Sequence, residues 1–314
     1  TGVSFSHSAK ITKLSSTGIK FEAKKPVLAQ ASLQKNLPQL AFIGTGGTIS
    51  TRVNYALGGV SMQLSADQVY SAVPELASIA QFKHVSTPFT IASEDLTPRE
   101  WLVLAKELAS KLNDKDVRGA VVTHGTDTMG FSASALSFML RGLTKPVALV
   151  GSQRSPDRGS SDAAMNLICG THFACSPYPG VAVVMHGSSS DDYALAHKGT
   201  KVRKMHSTRR DAFKTINDEP VARIWKDGRI EFISSSTTST ALPAQKAKEN
   251  KIIADAVFEE KTALLKLFPG ASPDLLTSLV DSGYKGVVLE AFALGHVPTK
   301  PLQAKDSWIP AVKR

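Results

Sequence analysis

The sequence has only two cysteines, Cys169 and Cys175, in 314 residues. That is too few for a disulfide framework, and their spacing fits no usual zinc site. They read as small residues on one helix of a reduced, cytosolic protein. Long apolar runs are also missing. No stretch approaches the roughly 20 apolar residues that a membrane-spanning helix needs, and the opening TGVSFSHSAK lacks the apolar centre of a signal peptide. Aromatics make up only 7%, and none interleaves with the basic stretches as base-stacking platforms do. Charged residues are sparse at 20%, whereas 42% of the chain is hydrophobic, which excludes wholesale disorder and fills a core. The length suits one large domain or two ordinary ones.

The net charge of +10 is unevenly placed. Residues 1–36 hold six lysines against Glu22, giving +5. Residues 197–214 hold Lys198, Lys201, Arg203, Lys204, Arg209, Arg210 and Lys214 against Asp211, giving +6, so the remainder carries −1. A neutral body with two basic patches points to an anionic partner or to a solvated face, and charge alone does not choose between them.

Residues 1–24 alternate in short segments, AKITKL and GIKFEAK, which predict two strands, and a polar connector follows. From Leu40 short apolar runs alternate with longer amphipathic ones. The runs at 40–44, 119–123, 146–151, 181–186, 263–268 and 286–290 are nearly continuous in apolar residues, as strands covered on both faces are. Helices are predicted over 65–73, 98–112, 131–141, 162–174 and 273–282. Thr97-Pro98-Arg99-Glu100 sets out a cap, an N1 proline and a carboxylate that reaches back. Alternating strands and helices predict an α/β fold with a parallel sheet. The aperiodic SSSTTSTALPAQKAKE begins a linker over 234–256. The expected layout is a remnant of a small β domain with its connector (1–36), an α/β domain (37–233), the linker, and the start of an incomplete second α/β domain (257–314). The chain opens on Thr1 without a methionine and stops at WIPAVKR as a new helical pattern begins, so a fragment cut at both ends is expected.

In open α/β sheets ligands bind beyond the carboxyl ends of the strands. The predicted strands end in GTGGTIS, THGTDT, GSQRSPDR, HGSSSDD and EAFALGH. The need for turns explains the glycines there but not the clustered Thr, Asp and Ser. GTGGT lacks dinucleotide-fingerprint spacing and has no GK[ST], and the sequence holds no G-x-S-x-G elbow. His124, His186, His197 and His206 lack the spacing of a helical metal pair, and His124 before a glycine reads as a packed, hydrogen-bonded residue. What remains is a hydroxyl nucleophile with no histidine base. Asp127 beside Thr126 can accept a proton through that hydroxyl, a lysine of the basic segment can support them, and the amides around Thr48 can hold an oxyanion. This is a constellation for amide hydrolysis.

Thr45-Gly46-Gly47-Thr48-Ile49-Ser50 and His124-Gly125-Thr126-Asp127-Thr128-Met129 resemble the two signature motifs of the bacterial-type L-asparaginases. The resemblance implies an asparaginase-like parallel-sheet domain in which Thr48 is the nucleophile. It implies Tyr55, in STRVNYALGG, as a lid tyrosine that assists it, and Thr126, Asp127 and Lys204 as a supporting triad, with Gly47 and Gly125 bordering the substrate. The substrate-binding pair falls at Ser93 and Glu94, where plain asparaginases carry Ser-Gln. Ser93-Glu94-Asp95, the stretch SDDYALAHKGTKVRKMHSTRRDAF, YKGVVLEAFALGHVP and the basic N-terminal segment resemble one branch, the D subunits of the archaeal-type glutamyl-tRNA(Gln) amidotransferases.

For a member of that branch the resemblance implies a cytoplasmic glutaminase with no membrane attachment. It releases ammonia from glutamine or asparagine and needs no metal or cofactor on this chain. A partner, the amidotransferase E subunit, binds ATP and Mg²⁺ and converts Glu-tRNA(Gln) to Gln-tRNA(Gln). A homodimer through the asparaginase-like domain, within a heterotetramer, is implied too. Whether this chain touches the tRNA stays open, because Lys204 places part of the basic run at the site. Two other readings stand beside this one: a free-standing L-asparaginase, against which Glu94 and the basic N-terminal segment count, and a non-catalytic protein that serves assembly or tRNA binding.

Overall fold

The computed structural model describes residues 36–54, 59–62, 64–233 and 251–314, all within one compact unit. The strands expected before residue 36, Tyr55 and most of the 234–256 linker lie outside the described residues. Chain order begins with β1 (Gln39–Gly44), β2 (Thr51–Asn54), β3 (Gly59–Met62), α1 (Ala66–Ser71), β4 (Gln81–Ser86), α2 (Pro98–Leu112) and β5 (Val117–Thr123). It continues with α3 (Met129–Met139), β6 (Leu140–Arg141), β7 (Val147–Val150), α4 (Ala163–Ala174), β8 (Val181–His186), β9 (Ala194–Lys198), β10 (Val202–Lys204) and β11 (Phe213–Thr215). It closes with β12 (Ala222–Ile224), β13 (Ile230–Phe232), β14 (Ile253–Ala254), β15 (Thr262–Lys266), α5 (Asp274–Asp281), β16 (Gly286–Glu290) and α6 (Ile309–Lys313).

Eight strands form the central sheet in the order β13-β12-β9-β8-β7-β5-β1-β4. From β4 to β8 neighbouring strands are parallel, so their carboxyl ends share one side. Successive residues of each strand enter opposite faces. Leu40, Phe42, Val121, Val150 and Val184 pack with α1 and α4 on one face. Ala41, Ile43, Val122, Leu149 and Val183 pack with α2 and α3 on the other. Burial on both faces is why these strands read as unbroken apolar runs.

The parallel sheet expected from sequence is present, and an antiparallel edge extends it. β8, β9, β12 and β13 pair antiparallel, so HGSSSDD is a hairpin loop between β8 and β9 rather than a strand-to-helix turn. β12 and β13 have three residues each, too short to carry a legible period. β4 was also missed, because as an edge strand it is half-exposed and carries Lys83 and His84. The expected capping box forms as written: Thr97 N donates to Glu100 Oε2 at 2.8 Å, and Thr97 Oγ1 accepts from Arg99 N at 3.4 Å. Such a cap is worth about 1 kcal/mol.

Residues 251–314 build β15 and β16 as a parallel pair with their own small core of Leu267, Leu276, Trp308 and Ala311. Among the described residues no helix is long and apolar enough to cross a membrane.

Candidate active site

The loops after β1, β4 and β5 meet backbone to backbone. Thr45 N and Oγ1 both donate to Thr123 O, at 3.1 and 2.8 Å, which locks the loop after β1 to the end of β5. Ile91 N donates to Thr45 O and Gly47 N to Ile91 O, at 3.1 and 3.3 Å. Gly47 has φ of 76°, and a Cβ there would stand 2.3 Å from Gly125 Cα. A Cβ on Gly125 would stand 2.6 Å from Ser93 Oγ. Both motif glycines are therefore needed for close approach and not only for turning. Thr128 Oγ1 donates to Ser93 O at 2.8 Å and fastens the loop after β4 to the loop after β5. Thr48 opens a short 3₁₀ turn on this platform, half-buried, with its carbonyl accepting from Thr51 Oγ1 at 2.7 Å.

Lys204 comes from far along the chain, on the β10–β11 ribbon. Phe213 and Ala212 anchor that ribbon in the core beside Val202, and Val202 O lies so close to α3 that a Cβ on Gly130 would be 3.1 Å from it. The Lys204 ammonium donates to Thr126 Oγ1 at 2.9 Å and to Asp127 Oδ1 at 2.6 Å. Thr126 is buried, while the Asp127 side chain keeps 60% of its exposure just ahead of α3. Carboxylates are favoured at such helix N-termini.

The structure thus brings together Thr126, Asp127 and Lys204, and brings Gly47, Gly125 and Ser93 together beside them. Glu94 stands exposed next to buried Ser93. Tyr55 falls outside the described residues. His124 is packed: its Nδ1 meets Gly125 O at 2.7 Å, and burial pushes its pKa down to about 4, so near neutral pH it is an uncharged ring turned onto its own loop. Gln153 Oε1 accepts from Thr126 Oγ1 at 3.3 Å, a contact sequence reasoning missed. The signal was the polar GSQRS at the end of β7. Among the described residues no cluster of His, Cys, Asp and Glu is arranged to hold a metal ion.

A parallel sheet with a threonine–aspartate–lysine group at its carboxyl end and glycine-tight loops beside it defines the class. Residues 39–238 match the asparaginase N-terminal domain, and the chain belongs to the asparaginase family. Within it, the chain is 50% identical over 297 residues to the glutamyl-tRNA(Gln) amidotransferase D subunit of Pyrococcus furiosus, covering 94% of this chain and 64% of that protein. The corresponding D subunit of Methanopyrus kandleri is 40% identical over 311 residues, covering 97% and 65%. The solved thermostable L-asparaginase from Thermococcus kodakarensis superposes with a TM-score of 0.71 at 27% identity, covering 87% of this chain and 76% of that one. The chain spans a little under two thirds of the length of these amidotransferase relatives.

Proposed function

We propose that this chain carries the glutaminase site of a tRNA-dependent amidotransferase, releasing ammonia from glutamine, or from asparagine, for the conversion of Glu-tRNA(Gln) to Gln-tRNA(Gln). The observation that carries the reading is the Lys204 ammonium held at 2.9 Å from Thr126 Oγ1 and 2.6 Å from Asp127 Oδ1, beside the loop that bears Thr48. In this mechanism Thr48 Oγ attacks the side-chain carboxamide carbon, with Tyr55 assisting, and its proton passes through Thr126 and Asp127 to the leaving nitrogen. The C–N bond breaks, ammonia leaves, and an acyl ester remains on Thr48. Water, activated by the same relay, cleaves the ester. Lys204 keeps Asp127 and the Thr126 oxygen in place and offsets charge that develops there. Ser93, Glu94 and Asp127 hold the α-amino and α-carboxylate ends, with Gly47 and Gly125 forming the floor.

Ammonia release needs no cofactor on this chain in this scheme. ATP and Mg²⁺ act on a partner, the amidotransferase E subunit, which activates the tRNA-bound glutamate. Assembly as a homodimer joined to that partner, in the cytoplasm and free of membrane, completes the proposal. The basic run is largely engaged within the chain: Lys204 pairs with Asp127, Arg209 and Lys214 with Asp211, and Arg210 with Asp191. That weighs against the run as a tRNA grip, and of these cations Lys204 reaches the site. The domain boundaries follow the same proposal, with residues 37–233 as the catalytic α/β domain and 257–314 as the start of the second.

The test is ammonia release from glutamine and asparagine by the intact protein, with and without the E subunit and Glu-tRNA(Gln). Stimulation by the complex and a loss of more than about a thousandfold in Thr48→Ala are expected. Rapid asparagine hydrolysis indifferent to partner and tRNA would identify a free-standing asparaginase instead. No release under any condition would leave a protein of assembly alone.

A further inference from the structure

The loop after β7, residues 151–161, has no helix or strand, yet it forms one wall around Thr126. A Cβ on Gly151 would lie 2.9 Å from Thr126 Cγ2, and Gln153 reaches the Thr126 hydroxyl. Fixing an irregular loop against a reacting group takes specific bonds to outweigh its lost entropy. Asp162, wholly buried at the start of α4, supplies them. Its carboxylate accepts from Gln153 N and from Arg154 N, each at 3.0 Å.

One turn further along α4, wholly buried Asn166 donates Nδ2 to Gly151 O at 3.0 Å and to Asp162 Oδ2 at 3.1 Å. Its Oδ1 faces His186 Nδ1 at 2.6 Å, and His186 Nε2 meets Asp191 Oδ1 at 3.1 Å. Asp191 pairs with Arg210 at 2.9 Å, and the other Arg210 nitrogen returns to the same loop at Ser160 O. Arg210 sits in the turn of the ribbon that carries Lys204. One polar network, with three wholly buried members, therefore ties together the two segments that touch the Thr126 hydroxyl from either side. Burying Asp162, Asn166 and His186 carries a desolvation penalty that a surface turn would avoid.

We propose that Asp162, with Asn166, His186, Asp191 and Arg210 behind it, is a positioning residue that sets the hydroxyl orientation of Thr126. The inference rests on the amide-hydrolysis reading above. A hydroxyl has one hydrogen and two lone pairs. Lys204 donates into one lone pair, and Gln153 Oε1 takes the hydrogen. One lone pair is left to accept a hydrogen bond from the O–H of Thr48 or of water, which aims that oxygen at the substrate. Loosening the Gln153 loop frees the hydroxyl to rotate and to present its hydrogen instead. That misdirects the attacking oxygen while leaving substrate binding at Ser93 and Glu94 untouched.

The experiment is steady-state ammonia release from glutamine by the intact protein carrying Asp162→Asn or Arg210→Met, with thermal unfolding measured alongside. Asp162→Asn is expected to lower kcat about 10- to 100-fold, with KM within about twofold of wild type. Arg210→Met, at the far, partly buried end of the network, is expected to lower kcat about threefold with KM unchanged. Arg210→Met also keeps the proposal testable should Asp162→Asn fail to fold. Folded variants with wild-type kcat, or a KM that rises in step with the loss of kcat, would overturn the positioning role. Thr48→Ala in the same assay separates the two ideas: if it is inactive while the network variants turn over normally, only this inference fails. A Thr48→Ala protein that still releases ammonia removes the mechanistic reading and this inference with it.

Discussion

Strand β5 has an aspartate–lysine cluster at each end, and the two differ in how fully the carboxylate is engaged. Before the strand, Asp114 accepts from Lys83 Nζ at 2.9 Å, from His84 Nε2 at 2.9 Å and from Asp116 N at 3.1 Å. The Lys83 bond above all, then those of His84 and the Asp116 amide, holds its carboxyl well below the usual range. After the strand, Asp127 has one described partner, Lys204, and is exposed. A carboxylate with both oxygens engaged fixes structure. One with an open oxygen has capacity left for a substrate amine or a proton in transit. The same residue types thus serve different ends, and the count of partners tells them apart.

Lys204→Met attacks the open end. It should lower kcat for ammonia release by about a thousandfold, the range general acid–base groups supply. Stability should change by less than about 1 kcal/mol, since the partner carboxylate is exposed. A variant of normal turnover would erase the distinction between the two clusters.

Acid should strike neither cluster first. Burial pushes His124 down to about 4 and His197 down to about 3, so between pH 6.5 and 4 the unfolded chain binds protons that the folded chain refuses. Stability is complete above about 6.5 and falls as pH drops through that window, by roughly 3 kcal/mol for His124 alone. Asp114, with its depressed pKa, gives up its contribution only below about pH 4. Denaturant midpoints measured from pH 7 to 4 should decline, and His197→Gln should flatten part of the decline. A midpoint constant over that range would contradict the burial argument.

Gly125→Ala should push Ser93 away, since the added Cβ falls 2.6 Å from its Oγ. KM should rise about tenfold, with about 1–3 kcal/mol of overpacking strain. Initial rates across glutamine concentrations check this, and an unchanged KM would separate Ser93 from substrate. The smallest effect belongs to Asp114→Asn: a lower denaturant midpoint at pH 7 with kcat and KM as in wild type. Any loss of turnover there would join the two ends of β5 functionally.

The parallel core was legible because each buried strand is a run of apolar residues and α2 announces its start with Thr97-Pro98. The antiparallel edge was not, because β12 and β13 are three residues long and their pairing depends on partners distant in sequence. Thr126, Asp127 and Lys204 stood out through motif resemblance, and the structure brings them together. Gln153, Asp162 and Asn166 carry no such signature: a buried aspartate on a helix start looks like an ordinary cap until its acceptance of two loop amides is seen. The backbone crowding of Gly47, Gly125 and Ser93 was invisible too, since glycines in turns have a sufficient local explanation.

The long reach of Lys204 has a consequence during synthesis. It lies 78 residues beyond Thr126, and its ribbon is held by Phe213, further still. Loop closures of that span come late in folding, after local helices and neighbouring strands. A ribosome-bound chain that has already presented Thr48 and Thr126 therefore lacks the cation that completes the group. Under the proposed mechanism, newly made protein would stay inert toward free amides until the β10–β11 ribbon has emerged and docked.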